Sequence, residues 1–111
     1  MFEPSVAHGS KDVATAGTEL PLTAASTWCR GVIIQAKPAN TGYIYVGAGT
    51  VSSATYGIRL EAGDSLQISP PAGSGGHSPR MNLADIVIDS SVNGEGVTFL
   101  YNTDDYNTHT F

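Results

Sequence analysis

The sequence predicts an all-β fold: a single-domain antiparallel β-sandwich or jelly roll of seven or eight short strands with extended terminal arms. Three observations predict it. Gly (13) and Pro (6) are plentiful while Leu, Lys and Glu are scarce, which disfavours helices and suits short strands joined by many turns. Segments of four to eight residues alternate apolar and polar side chains, the period of a half-buried strand. Turn-forming Gly, Pro, Asn and Asp separate these segments at short intervals, as in a sandwich. At 111 residues the chain has the size of one domain, and such a domain buries roughly two-thirds of its unfolded surface.

Residues 1–10 read as an N-terminal arm, interrupted by Pro4, Gly9 and Ser10; the domain proper is expected over 11–101 and a polar tail over 102–111. Regular structure is expected from about Val13, with weak alternation through Leu20 and Leu22. From Arg30 to Lys37, Val32, Ile34 and Ala36 share one strand face and Ile33, Gln35 and Lys37 the other. Pro38-Ala-Asn-Thr-Gly42 has turn chemistry, and Tyr43-Ile-Tyr-Val46 is β-rich, so residues 30–46 are expected to form a hairpin. A loop of small residues follows from Gly47 to Gly57, with a short strand within 55–60. Glu61-Ala-Gly-Asp64 is a tight turn into Ser65–Ser69, where Leu66 and Ile68 point inward. Residues 70–79 form a surface loop by composition. Ala84, Ile86 and Ile88 then alternate with Asp85, Val87 and Asp89. An Asn93-Gly94 turn leads to a last strand with Val97, Phe99 and Tyr101 on one face.

The net charge is −5, from 10 acidic and 5 basic side chains. The five cations Lys11, Arg30, Lys37, Arg59 and Arg80 are scattered, whereas phosphate binding needs them clustered, so no direct nucleic-acid partner is expected. No apolar run reaches the length of a membrane span and no leader pattern opens the chain, so a soluble protein made in the cytoplasm is expected. The one cysteine, Cys29, has no internal partner for a disulfide, in keeping with a reducing compartment.

No catalytic, cofactor or metal constellation stands out. His8, His77 and His109 are expected in loops or arms, whereas a zinc site wants three or four ligands on stiff elements. His109 with Asp104 and Asp105 reads as a solvated tail. Cys29 reads as a buried thiol packing as a small apolar group. Gly47-Ala-Gly-Thr50 lacks the following lysine and helix of a phosphate cradle. Asp85 and Asp89, four apart on one strand face, read as a solvated outer surface rather than a glycosidase pair. The arms hold apolar side chains in segments with no fold-forming period: Phe2, Pro4 and Val6 at one end, Tyr106 and Phe111 at the other. Such side chains gain little in the free protein but can dock into grooves of a partner, so these five residues are the candidate partner-binding set.

Pro38-Ala-Asn-Thr-Gly-Tyr-Ile-Tyr-Val-Gly47, Leu60-Glu-Ala-Gly-Asp-Ser-Leu66, Asn82-Leu-Ala-Asp-Ile86 and Gly94-Glu-Gly-Val-Thr-Phe-Leu-Tyr101 together resemble the small decoration (cement) proteins encoded among tailed-bacteriophage head genes. The likeness spans Arg30 to Tyr101, about two-thirds of the chain. The Leu60–Leu66 turn is also similar to those of cupins, but the paired histidines and downstream carboxylate of a cupin metal site are missing. The resemblance implies a structural virion protein on the outer capsid surface, often a homotrimer, bridging neighbouring copies of the major capsid protein. The alternative is a head–tail or tail accessory module with a receptor- or carbohydrate-binding role, for which Tyr43 and Tyr45 on one strand face would give a modest platform. No enzyme activity is expected.

Overall fold

Alternation dictates the first contacts. In a strand, residues two apart share a face, so Val32, Ile34 and Ala36 must be buried together or exposed together. A computed structural model, which describes residues 6–70 and 80–103, buries all three. The described strands are β1 (Val6–Val13), β2 (Leu20–Pro21), β3 (Trp28–Ala36), β4 (Ile44–Gly47), β5 (Ile58–Leu60), β6 (Ser65–Ile68), β7 (Met81–Asn82), β8 (Val87–Ser90) and β9 (Glu95–Thr103). A 3₁₀ turn, Leu83–Asp85, separates β7 from β8.

The strands form two antiparallel sheets, sheet I in the order β1-β9-β3-β6 and sheet II in the order β2-β8-β4-β5, with β7 beside the start of β3. The pairing is nested. β1 pairs β9, β2 pairs β8, β3 pairs β6 and β4 pairs β5; β9·β3 and β8·β4 then close the roll. A long hairpin rolled onto itself in this way is a jelly-roll sandwich. The space between the sheets is filled by Ile34, Ile44, Leu83, Ile88, Val97, Phe99 and their neighbours. Each large aliphatic side chain fully buried there contributes about 1.5–3 kcal/mol.

Three expectations are corrected. Residues 30–46 are not a hairpin: β3 lies in sheet I and β4 in sheet II, and 37–43 crosses between the layers. The turn residues reverse the chain as expected, but the partners of β4 are β8 and β5, because Ile44–Val46 is buried on both sides. Regular structure is already present at Val6 rather than starting near Val13. Residues 6–10 of the expected arm, including His8, run along β9, whose backbone groups would otherwise be unpaired. Asp85 and Asp89 do not share a strand face: Asp85 is exposed in the 3₁₀ turn, and Asp89 is 1% exposed in β8.

Two features protect the open end of sheet I. Lys11, opposite Val97, points from the edge strand β1 toward the core side, and an inward charge on an edge discourages strand-to-strand aggregation. Gly96 lets β1 approach closely, since a Cβ there would lie 2.6 Å from the Asp12 Cα.

Candidate interaction surface

The outer face of sheet I is built from the residues that alternate with the core. The cross-strand rows are Gln35, Thr98 and Ser10; then Gln67, Ile33, Leu100 and His8; then Asn102 and Val6. Between Cys29↔Thr103 and Val32↔Tyr101 the register shifts by one residue, so Arg30 and Gly31 together oppose Asn102. This bulge restores the alternation on its far side, which buries Cys29 and turns Trp28 outward.

Four large apolar side chains are consequently exposed on one face: Val6 (47%), Trp28 (44%), Ile33 (44%) and Leu100 (46%). The face is slightly hollow. A depression of about 590 Å³ lies over His8, Ser10, Ile33, Gln35, Thr98 and Leu100. A second, of about 170 Å³, shares Ile33 and Leu100 and continues toward Arg30, Val6 and Asn102. Scattered exposed hydrophobes are ordinary, but a contiguous set marks an interaction surface.

The charges on this face are few. Lys37 Nζ lies 2.7 Å from Asp12 Oδ1 at the far end, so that pair neutralises itself. Arg30 stands at the near end, and the Arg80 guanidinium lies 4.7 Å above the ring of Trp28. The other described carboxylates lie elsewhere, Glu19, Glu61 and Asp64 in connections, Asp85 in the 3₁₀ turn, Asp89 in β8 and Glu95 at the start of β9.

Of the five partner-binding candidates, the structure describes Val6, which is exposed at the start of β1. Phe2, Pro4, Tyr106 and Phe111 lie outside the described residues, as do His77, His109, Asp104 and Asp105. Val6 pairs with Asn102, so the described residues begin and end on neighbouring strands of sheet I. Sequence reasoning missed Trp28, Ile33 and Leu100 as surface residues. The signal was there for the last two, since each alternates with residues assigned to the core.

The outer face of sheet II is largely closed by its own loops. Tyr45 is only 6% exposed and packs with Val51 and Val87; the Tyr56 ring lies 5.1 Å from it. Tyr43 precedes β4, and the Arg59 guanidinium sits 4.2 Å above its ring. The expected Tyr43–Tyr45 platform is therefore not formed, because Tyr45 faces a covering loop. Cys29 is buried as expected. Among the described residues, no three His, Cys, Asp or Glu side chains gather in a way that would hold a metal ion.

No protein-family model matches the chain, and no curated protein or solved structure is significantly similar to it.

Proposed function

We propose that this chain is a structural virion protein, a decoration protein that binds the outer surface of a phage capsid and cements neighbouring copies of the major capsid protein. The observation that carries this reading is the pairing of the first and last described strands, with Val6 beside Asn102 at one end of sheet I. In sequence, Phe2 and Pro4 stand just before Val6, and Tyr106 and Phe111 follow Thr103. Two short apolar-bearing segments joined to neighbouring strands can grip one partner, and the second contact then gains from the effective concentration set by the first. The resemblance of residues 30–101 supplies the capsid as that partner and three copies as the assembly.

The test is co-sedimentation with capsids. Removing residues 1–5, or separately 104–111, is expected to leave a folded domain that binds capsids at least about tenfold more weakly, since one docked aromatic is worth on the order of 2 kcal/mol. Two folded truncations that bind like the full chain would overturn the reading.

A second reading, a tail accessory or receptor-binding module, draws on the exposed rings of Tyr43 and Tyr56. Glycan binding lost on Tyr43→Ala would favour it.

A further inference from the structure

We infer that the turn at Asn93-Gly94, between β8 and β9, is a modification site: a place of spontaneous deamidation that the segment 13–16 latches shut in the folded chain. Its chemistry needs no partner and is independent of the capsid reading.

Asn93-Gly94 is the one Asn-Gly pair in the chain, and both residues are exposed. In such a pair the backbone nitrogen of the second residue can attack the side-chain Cγ of the first, because glycine has no Cβ to block the approach. Solvent hydroxide takes the Gly94 amide proton, and the new N–Cγ bond closes a five-membered succinimide. The Cγ–Nδ2 bond breaks, and the leaving group departs as ammonia with a third proton from water. Water then opens the ring at either carbonyl and leaves an aspartate or an isoaspartate at position 93. Nothing is oxidised or reduced, water is the co-reactant, and the chain becomes one unit more negative.

Both reacting groups are tied to the end of β1 and the turn after it. The Gly94 N–H donates to the Val13 carbonyl at 2.8 Å, and the Ala16 N–H donates to Asn93 Oδ1 at 2.7 Å. Val13 is fully buried, which fixes the position of its carbonyl. The nucleophile thus has its proton held by an anchored acceptor, and the carboxamide is held by a different segment. Ring closure requires the Gly94 hydrogen bond to break and the carboxamide to swing free, and both happen together when 13–16 lifts away. Apart from its chain neighbours, no described atom lies within 4 Å of where a Cβ on Gly94 would stand, so solvent base reaches the amide once the latch opens. The rate in the folded chain therefore follows the population of this local opening. An isoaspartate adds one methylene to the main chain, so the latch cannot re-form in its original register and the opening leaves a permanent mark.

The full chain is incubated at mildly alkaline pH, folded and in guanidinium chloride. Position 93 is followed by peptide mass mapping, and the added charge by isoelectric focusing. The unfolded chain is expected to convert at Asn93, and the folded chain at least about tenfold more slowly, the factor that two ordinary hydrogen bonds impose on an opening equilibrium. Hydrogen exchange at the Gly94 amide should be slowed by the same order, since it needs the same opening. Ala16→Pro removes one donor of the latch. The turn 15–18 is closed by the Thr18 N–H donating to the Thr15 carbonyl at 2.9 Å, with Gly17 at φ +92°, and position 16 is where such a turn favours proline. Folded Ala16→Pro, verified by circular dichroism, should convert several-fold faster than the folded wild type. If that variant does not fold, the wild-type conversion rates and amide exchange decide alone. Equal conversion in the folded and unfolded chain, no conversion at Asn93 in denaturant, an unprotected Gly94 amide, or a folded Ala16→Pro no faster than wild type would each overturn the assignment.

Discussion

Glu95 opens β9 and reaches back to the β3–β4 connection, where its carboxylate accepts from the Thr41 N–H at 2.6 Å, the Thr41 hydroxyl at 2.8 Å and the Gly42 N–H at 2.9 Å. The Thr41 N–H does most to hold its pKa below the usual glutamate range; partial desolvation pushes the other way, and the Gly42 N–H and Thr41 hydroxyl add to the lowering. A carboxyl group whose pKa is lowered on folding stabilises the fold above its unfolded pKa and loses that contribution as pH falls through its folded pKa. Glu95→Gln is therefore expected to melt below the wild type at neutral pH and to converge with it in acid. Melting curves of both proteins across that range check this, and a gap independent of pH would remove charge as the cause. None of this was legible in the sequence, because Glu95 and Thr41 are far apart in the chain and meet only when two sheets stack. Residue-level burial was more legible: Leu66 and Phe99 take the inward positions that alternation assigns them, whereas Cys29 is turned inward by the bulge in β3.

At the scale of elements, strands were easier to read than their connections. Val97, Phe99 and Tyr101 alternate cleanly and so predict a strand with one buried face. Pro38–Gly42 predicts a reversal equally well whether the flanking strands pair or lie in opposite sheets, since turn chemistry sets only the local backbone. Asp89 shows the other limit. It does alternate onto the outer face of sheet II, but the β1–β2 connection folds over it, and the Gly17 N–H donates to its Oδ1 at 2.9 Å. The Ser90 N–H donates to the same oxygen at 2.8 Å. Periodicity along one strand carries no information about a loop arriving from another part of the chain. Asp89→Ala leaves both donors without this acceptor and is expected to cost about 1–3 kcal/mol. Asp89→Asn keeps a carbonyl oxygen and should cost less. Denaturant unfolding of the two variants checks the order, and equal stability of the alanine variant and the wild type would show that the connection is held by other contacts.

For the whole molecule, composition and turn spacing sufficed for the class, a two-layer β fold, but not for the order of strands. That order follows from which backbone edges find partners. β1 joins sheet I although His8, Gly9 and Ser10 give it no apolar stripe, because β9 offers it a full row of hydrogen-bonding groups. The nested pairing has a kinetic consequence. Its outermost rung joins the first described strand to the last, so a chain emerging from the ribosome holds β1 and one edge of β3 in waiting until β9 is made. Closing so large a loop before any reward makes such folds slow, in the millisecond-to-second range. A circular permutant that links Thr103 to Val6 and opens the exposed loop between Ser53 and Ala54 turns the longest-range pair into a local hairpin. Stopped-flow refolding should then be several-fold faster at similar stability. An unchanged rate would mean that the rate-limiting step lies in the inner rungs, where β3 meets β6 and β4 meets β5.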